Sequence, residues 1–196
     1  MILLLGTRNK GKIRELKELL ADLEGVDLLT FSECPFHEVE ETGSTFQENA
    51  LLKARTIAAE TGHAVLADDA GLEVASLNGE PGVRSARYAG TPTDYVRNNT
   101  LLLERLQGVG DRRARFVMVA ALHLPDGREF VREGSLTGRI TCRPAGEGGF
   151  GYDPLFIPVG TSRTLAEMTL AEKNAISHRR RAIEGIKEVL REISLS

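Results

Sequence analysis

The segment Met1-Ile2-Leu3-Leu4-Leu5-Gly6-Thr7-Arg8-Asn9-Lys10-Gly11-Lys12 opens the chain. An apolar run broken by glycine reads as a short buried strand. Past the polar loop, Ile13, Leu16, Leu19, Leu20 and Leu23 recur at helical spacing, and Gly25 supplies the stop. The unit then repeats. A strand is expected over residues 26–31, followed by an acidic stretch with Glu38, Glu40 and Glu41. A capping-box pattern, Ser44 with Gln47 or Thr45 with Glu48, starts a helix that runs to about residue 60, and Gly62 ends it. Residues 64–67 read as another short buried strand, with Asp68 and Asp69 at its C-terminal end. Strand and helix in alternation predict an α/β sheet.

The second half changes pattern. A helix over 94–106 precedes a long apolar strand, 114–124, and Pro125-Asp126-Gly127 is a turn signal that pairs residues 129–136 back as a hairpin. A glycine-rich loop, 146–154, leads into a short strand at 155–157. The last helix places Ile183, Ile186, Val189, Leu190 and Ile193 on one face. The sheet is therefore expected to be mixed, in a single domain over residues 1–196.

Composition narrows the function classes. Twenty-five Lys and Arg against 28 Asp and Glu give a net charge of −3, which argues against a general nucleic-acid surface. No apolar run approaches the roughly 20 residues of a membrane span, and no secretory signal pattern is present. Cys34 and Cys142 lie far apart and read as small buried hydrophobes rather than a disulfide or zinc pair, so the cytosol is the expected compartment.

Four stretches could carry chemistry. The loop Gly6–Lys12 would aim backbone amides and a positive helix end at an anion, with Lys10 and Lys12 adding charge. It follows the pattern G-x4-G-K, but Ile13 stands where a P-loop hydroxyl would hold Mg²⁺. Its plain alternative is a solvated turn. Asp68 and Asp69 at the end of a buried strand are costly without a cation. They point to opposite faces, and Glu40, Glu41 and Glu48 are candidates to complete an oxygen set for Mg²⁺. The alternative is a capping Asp beside a surface one. Lys53 could add a phosphate contact or simply be exposed. The loop 148–154 offers the flat faces of Phe150 and Tyr152 and the acceptor Asp153, unless its aromatics fold back onto the core. Ser177, as an N-cap, would place Arg179, Arg180 and Arg181 in a helix's first turn, the wrong end for cations unless an acceptor group binds there or solvent surrounds them. Upstream, Thr169 and Glu172 form another capping-box pattern, followed by Lys173. No Ser/His/Asp arrangement or histidine cluster stands out. Together these describe a nucleoside triphosphate site, with a phosphate end, a carboxylate–metal middle and an aromatic-plus-Arg end.

The ordered set Thr7-x-Asn9-x-x-Lys12, Glu40-Glu41-Thr42-Gly43, Phe46-x-Glu48-Asn49-Ala50, Asp68-Asp69-x-Gly71-Leu72, Pro81-Gly82, Ser85-Ala86-Arg87-Tyr88, Phe150-Gly151-Tyr152-Asp153-Pro154 and Ser177-His178-Arg179 resembles the inosine triphosphate pyrophosphatase family. The resemblance implies an elongated mixed β-sheet flanked by helices, with two lobes around a central nucleotide-binding cleft, usually in a homodimer. It also implies Mg²⁺-dependent hydrolysis of non-standard purine nucleotides (ITP, dITP, XTP) to the monophosphate and pyrophosphate. On this resemblance the triphosphate is held by Thr7, Asn9 and Lys12 with Arg8, Lys10 and Gly11, supported by Lys53 and Ala70. Asp69 is the base and a metal ligand, and Glu40 is the second metal carboxylate. Phe150, Gly151, Tyr152, Asp153, Lys173, His178 and Arg179 embrace the purine. One departure is Ala70, where the family commonly has Ser, so a backbone N–H would replace a hydroxyl contact.

Three rival readings make different demands. A degenerate P-loop phosphohydrolase would need residues 64–69 as its Walker B strand, and Ile13 and the mixed sheet argue against it. A non-catalytic nucleotide sensor would not need paired buried carboxylates beside an acidic loop. A nucleic-acid binder built on Arg179–Arg181 would need a larger basic surface than this acidic chain offers.

Overall fold

The computed structural model describes residues 1–194. In chain order the elements are β1 (Ile2–Leu5), α1 (Lys10–Leu19), β2 (Asp27–Leu29), α2 (Phe46–Thr61), β3 (Ala64–Val74) and α3 (Tyr95–Arg105). They continue with β4 (Arg113–His123), β5 (Glu129–Ile140), β6 (Phe156–Pro158), α4 (Leu170–Ile176) and α5 (His178–Ser194). The strands form one six-stranded sheet in the order β2-β1-β3-β4-β5-β6. β1 pairs in parallel with both β2 and β3, with Leu3 opposite Leu28 and Ala64, while β5 and β6 are antiparallel. The mixed α/β sheet expected from the sequence is present. No helix among the described residues is long and apolar enough to cross a membrane.

The chain divides into two compact units. The first comprises Met1–Asp69, Met118–Gly134 and Arg179 onward. Its buried residues include Leu3–Leu5 of β1, Leu16 and Leu19 of α1, Ala54 and Ile57 of α2, and Ile183 and Ile186 of α5. Gly6 at the end of β1 sits in a close-packed spot: a Cβ there would stand 3.0 Å from Val65 Cγ1 and 3.1 Å from Ala67 Cβ. The second unit comprises Ala70–Val117 and Ser135–His178. Its core gathers Leu72, Val74, Leu102, Phe116, Tyr152 and Phe156, with the rings of Phe116 and Phe156 4.7 Å apart.

Several expected boundaries shift. β3 does not end at Ala67 but runs on to Val74, so Asp68 and Asp69 sit inside the strand. Charge partners from other elements let the strand continue through them. α1 begins at Lys10 because Asn9 caps it, its side chain accepting from Gly11 N at 2.9 Å and Lys12 N at 3.1 Å, and the helix runs to Leu19. β2 shrinks to three residues. Of the two capping boxes offered for α2, Thr45 with Glu48 is the one formed. The buried reading of the cysteines fails: Cys34 is half-buried and Cys142 exposed, and both are free thiols.

Candidate active site

In the first unit, five elements converge on the paired aspartates. The loop after β1 folds on itself, with Thr7 Oγ1 accepting from Asn9 N at 3.2 Å. This places the first turn of α1, and Lys12 with it, beside β3. Lys12 Nζ lies 2.7 Å from Asp68 Oδ2, and the Asp68 side chain is 2% exposed. Burial pushes the Asp68 pKa up, but Lys12, Arg179 and Lys53 together more than offset it, so this carboxylate is held below its ordinary range.

Asp69 has the opposite balance. Burial raises its pKa, Lys53 opposes that rise, Glu41 adds to it, and the net direction is upward. Asn49 Nδ2 donates to Asp69 Oδ2 at 2.9 Å, and Lys53 Nζ stands 3.9 Å from Asp69 Oδ1 and 2.5 Å from Glu41 Oε1. Lys53 loses charge stability through burial, yet Asp69, Asp68 and Glu41 outweigh the loss and raise its pKa. One face of α2 therefore presents Asn49 and Lys53, four residues apart, to the aspartates and the acidic loop. Asn49 also accepts from Gly43 N at 2.8 Å, joining that loop to Asp69. A Cβ on Gly43 would stand 2.7 Å from Asn49 Oδ1, so the approach depends on glycine.

Among the three candidate metal carboxylates, Glu41 is the one whose charge acts on Asp69. Glu48 is engaged by Ser44 and Thr45 in the cap, and Glu40 is exposed. No group of three or more His, Cys, Asp or Glu side chains among the described residues could hold a metal ion unaided. Mg²⁺ usually takes one or two protein carboxylates and completes its shell with water and substrate phosphates, so a raised Asp69 beside Glu41 fits such a partial site.

Some expected contacts lie elsewhere. Arg8 turns to its own unit's 31–38 segment, where its guanidinium stands 4.6 Å from the centroid of Phe31 and donates to the Phe36 carbonyl. Lys10 is exposed on the first turn of α1. Arg179 is not solvated: it is 2% exposed and paired with buried Glu15 of α1. Arg180 and Arg181 are exposed.

In the second unit, the loop 149–153 wraps a buried ion pair. Asp153 accepts from Lys173 Nζ and, at 2.8 Å, from Phe150 N, while Lys173 Nζ lies 4.8 Å from the centroid of Phe150. Gly149 and Gly151 both have positive φ, and a Cβ on Gly149 would meet Asp153 Oδ2 at 2.1 Å. Tyr152 folds back onto the core, as the plainer reading of this loop proposed. Its hydroxyl donates to Ser85 O at 2.9 Å, and burial drives its pKa upward. His178 stacks on Phe116 at 4.9 Å with the rings nearly parallel. Ala70, half-buried, follows Asp69 along β3.

Sequence reasoning quoted Asn49 in a motif without giving it a role, and passed over Glu41 as the partner of Lys53, and Glu15. The signal for Glu15 was available, since a carboxylate one position from Leu16 and four from Leu19 borders the apolar face of its helix.

A family model, the Ham1 family, matches residues 3–189. The chain belongs to the Ham1 family. Ham1 proteins of known structure align over almost its whole length. The Ham1 protein of Coxiella burnetii is 42% identical with a TM-score of 0.88, and that of Staphylococcus aureus 41% identical with 0.87, each covering 98% of this chain and 99% of its own. Two curated relatives are named dITP/XTP pyrophosphatase. The one from Elusimicrobium minutum is 52% identical over 97% of this chain and 100% of its own length, and one from Thermus thermophilus is 50% identical over 98% and 93%.

Proposed function

We propose that this Ham1 protein hydrolyses non-standard purine nucleoside triphosphates (ITP, dITP and XTP) to the monophosphate and pyrophosphate, removing them from the nucleotide pool. The observation that carries the reading is the buried Lys12–Asp68 pair next to a raised Asp69 held by Asn49 and Lys53, in a chain half identical to named dITP/XTP pyrophosphatases.

The division of labour follows from the two aspartates. Asp68, kept ionised, fixes Lys12 and does not titrate in the working range. Asp69, with its basicity raised by burial, accepts the proton of the water that attacks the α-phosphorus. Asn49 and Lys53 hold the two oxygens of Asp69 so that one lone pair is aimed at that water. The amides of the first turn of α1, with Lys12 and Lys53, stabilise charge on the departing pyrophosphate. Asp69, with the acidic loop through Glu41 or Glu40, would hold Mg²⁺. When bound, the ion lowers the charge cost of bringing a carboxylate and a triphosphate together.

Phe150, Gly151, Asp153, Lys173 and His178 are assigned to the purine, while Tyr152, turned into the core, anchors their loop through Ser85. Asp153, itself held by Lys173, fixes the Phe150 amide, so the loop presents backbone groups in one arrangement. A 6-keto base can accept from such donors, whereas the 6-amino group of adenine would leave them unpaired. Arg179, bound to Glu15, acts electrostatically on Asp68 and so supports the carboxylate cluster of its own unit. A homodimer and a cytosolic site of action complete the reading. Asp69→Asn tests it: turnover of ITP should fall by at least about a thousandfold, with substrate binding retained in a thermal-shift titration. Near-normal turnover would remove Asp69 from its role.

A further inference from the structure

Two motifs of the second unit, Ser85-Ala86-Arg87-Tyr88 and the helix α3, have no part in the chemistry above, yet both are wired to the loop assigned to the purine. The wiring is polar and specific. Asn98, almost fully buried, donates from Nδ2 to the carbonyls of Ser85 at 3.3 Å and Ala86 at 3.0 Å, and accepts from Ala89 N at 2.7 Å. The same Ser85 carbonyl accepts the Tyr152 hydroxyl, and Ser85 Oγ accepts from Leu72 N at 2.9 Å. The next residue, Asn99, turns about 100° around the helix and donates from Nδ2 to Gly151 O at 3.1 Å. One helical turn earlier on that face, the Tyr95 ring lies 6.3 Å from Phe150, tilted by 42°.

We propose that Asn99, with Tyr95 on the same face of α3, is a positioning residue that sets base selectivity by fixing the main chain at Gly151 and the ring of Phe150. The inference rests on the assignment of loop 149–153 to the purine. Gly149 and Gly151 both lie in the left-handed region, so the loop backbone has alternatives that ordinary residues would lack. Asp153 holds it from within through Phe150 N, and Tyr152 anchors its far side to Ser85. Asn99 holds the carbonyl between those two anchors. Its own Oδ1 is buried with no hydrogen-bond partner among the described residues, so the amide is placed for its donor and not for full satisfaction. A base-reading loop discriminates only if its donors stay where a 6-keto purine needs them. Loosening Gly151 should therefore cost selectivity before it costs chemistry.

The test compares Asn99→Ala, Asn99→Asp and Tyr95→Ala with the wild-type enzyme, using ITP, XTP, GTP and ATP with Mg²⁺ and scoring pyrophosphate release. Loss of one neutral hydrogen bond predicts that Asn99→Ala raises KM for ITP about three- to tenfold with kcat nearly kept. The preference for ITP over ATP should narrow. Asn99→Asp, which sets a carboxylate against the Gly151 carbonyl, should be at least as impaired, and Tyr95→Ala should move in the same direction. Product inhibition by pyrophosphate, read on the carboxylate cluster, should stay at the wild-type value in all three. Unchanged KM and selectivity would overturn the inference. So would equal losses of kcat on every triphosphate accompanied by weaker pyrophosphate inhibition, which mark a merely structural role. Absence of ITP turnover in the wild-type enzyme would overturn the functional reading and this inference with it, an outcome distinct from wild-type turnover with indifferent variants.

Discussion

Replacing Asp68 by Asn removes the counter-charge of a cationic cluster and should reveal how Lys12 is held. Lys12 Nζ lies 2.7 Å from Asp68 Oδ2. At an effective dielectric of about 20 that pair is worth ~6 kcal/mol of Coulomb energy. Neutralising Asp68 recovers part of that, because a buried carboxylate carries a desolvation penalty of several kcal/mol. The net cost is then ~3 kcal/mol, at the low end for breaking one partner of a buried pair. For a chain of this length ~3 kcal/mol lowers Tm by about 6–12 °C. Lys12, Lys53 and Arg179 are left facing each other with less negative charge, so an added polyanion should recover more in the variant than in the wild type. Calorimetry or a dye-based melt, without and with pyrophosphate, reads both effects. A variant melting within about 2 °C of wild type, with no larger pyrophosphate shift, would refute the claim that Asp68 anchors Lys12. Asp69→Asn makes the contrast. Burial raises the folded-state pKa of Asp69, so its contribution to stability is full below the ordinary carboxylate value of 3.8 and is lost as pH rises through the folded value. At neutral pH its neutral isostere should melt no lower than wild type while losing turnover.

Two further outcomes follow from other parts of the molecule. Glu129, bound by Arg55 and then by His123, has its pKa lowered from 4.5 to about 2, so its stabilising effect is complete above 4.5 and drains away as pH falls towards 2. Melts across that window should fall more steeply for wild type than for Glu129→Gln, and parallel curves would contradict the assignment. Gly149→Ala combines a positive φ with a Cβ 2.1 Å from Asp153 Oδ2. About 1 kcal/mol of left-handed strain alone corresponds to a fivefold rise in KM for ITP, and an unchanged KM would show that the loop geometry is immaterial to the base.

The fold was readable where local rules and tertiary context agree. The apolar run Leu3–Leu5, the glycine at position 6 and the Thr45–Glu48 capping box each announced their elements. The continuation of β3 through two aspartates was not readable, because their charges are compensated by Lys12 from α1 and Lys53 from α2, far away in sequence. The same reason hid the role of Glu41: three glutamates within nine residues look alike until the fold turns one of them towards Lys53. Tyr152 left two readings open, since an aromatic in a glycine-rich loop can stack on a ligand or fold back; here its hydroxyl finds Ser85 and its ring joins the core. Residues that belong to a motif stood out in the sequence itself. Those that act by holding the motif, Asn49 and Asn99 among them, became visible only with distances.

Cleavage between the α- and β-phosphates of non-standard purine nucleotides is tested most directly by product analysis. With Mg²⁺ and equal concentrations of ITP, XTP, ATP and GTP, the enzyme should yield pyrophosphate and monophosphate, chiefly from ITP and XTP. Orthophosphate with nucleoside diphosphate, or equal turnover of all four, would contradict it.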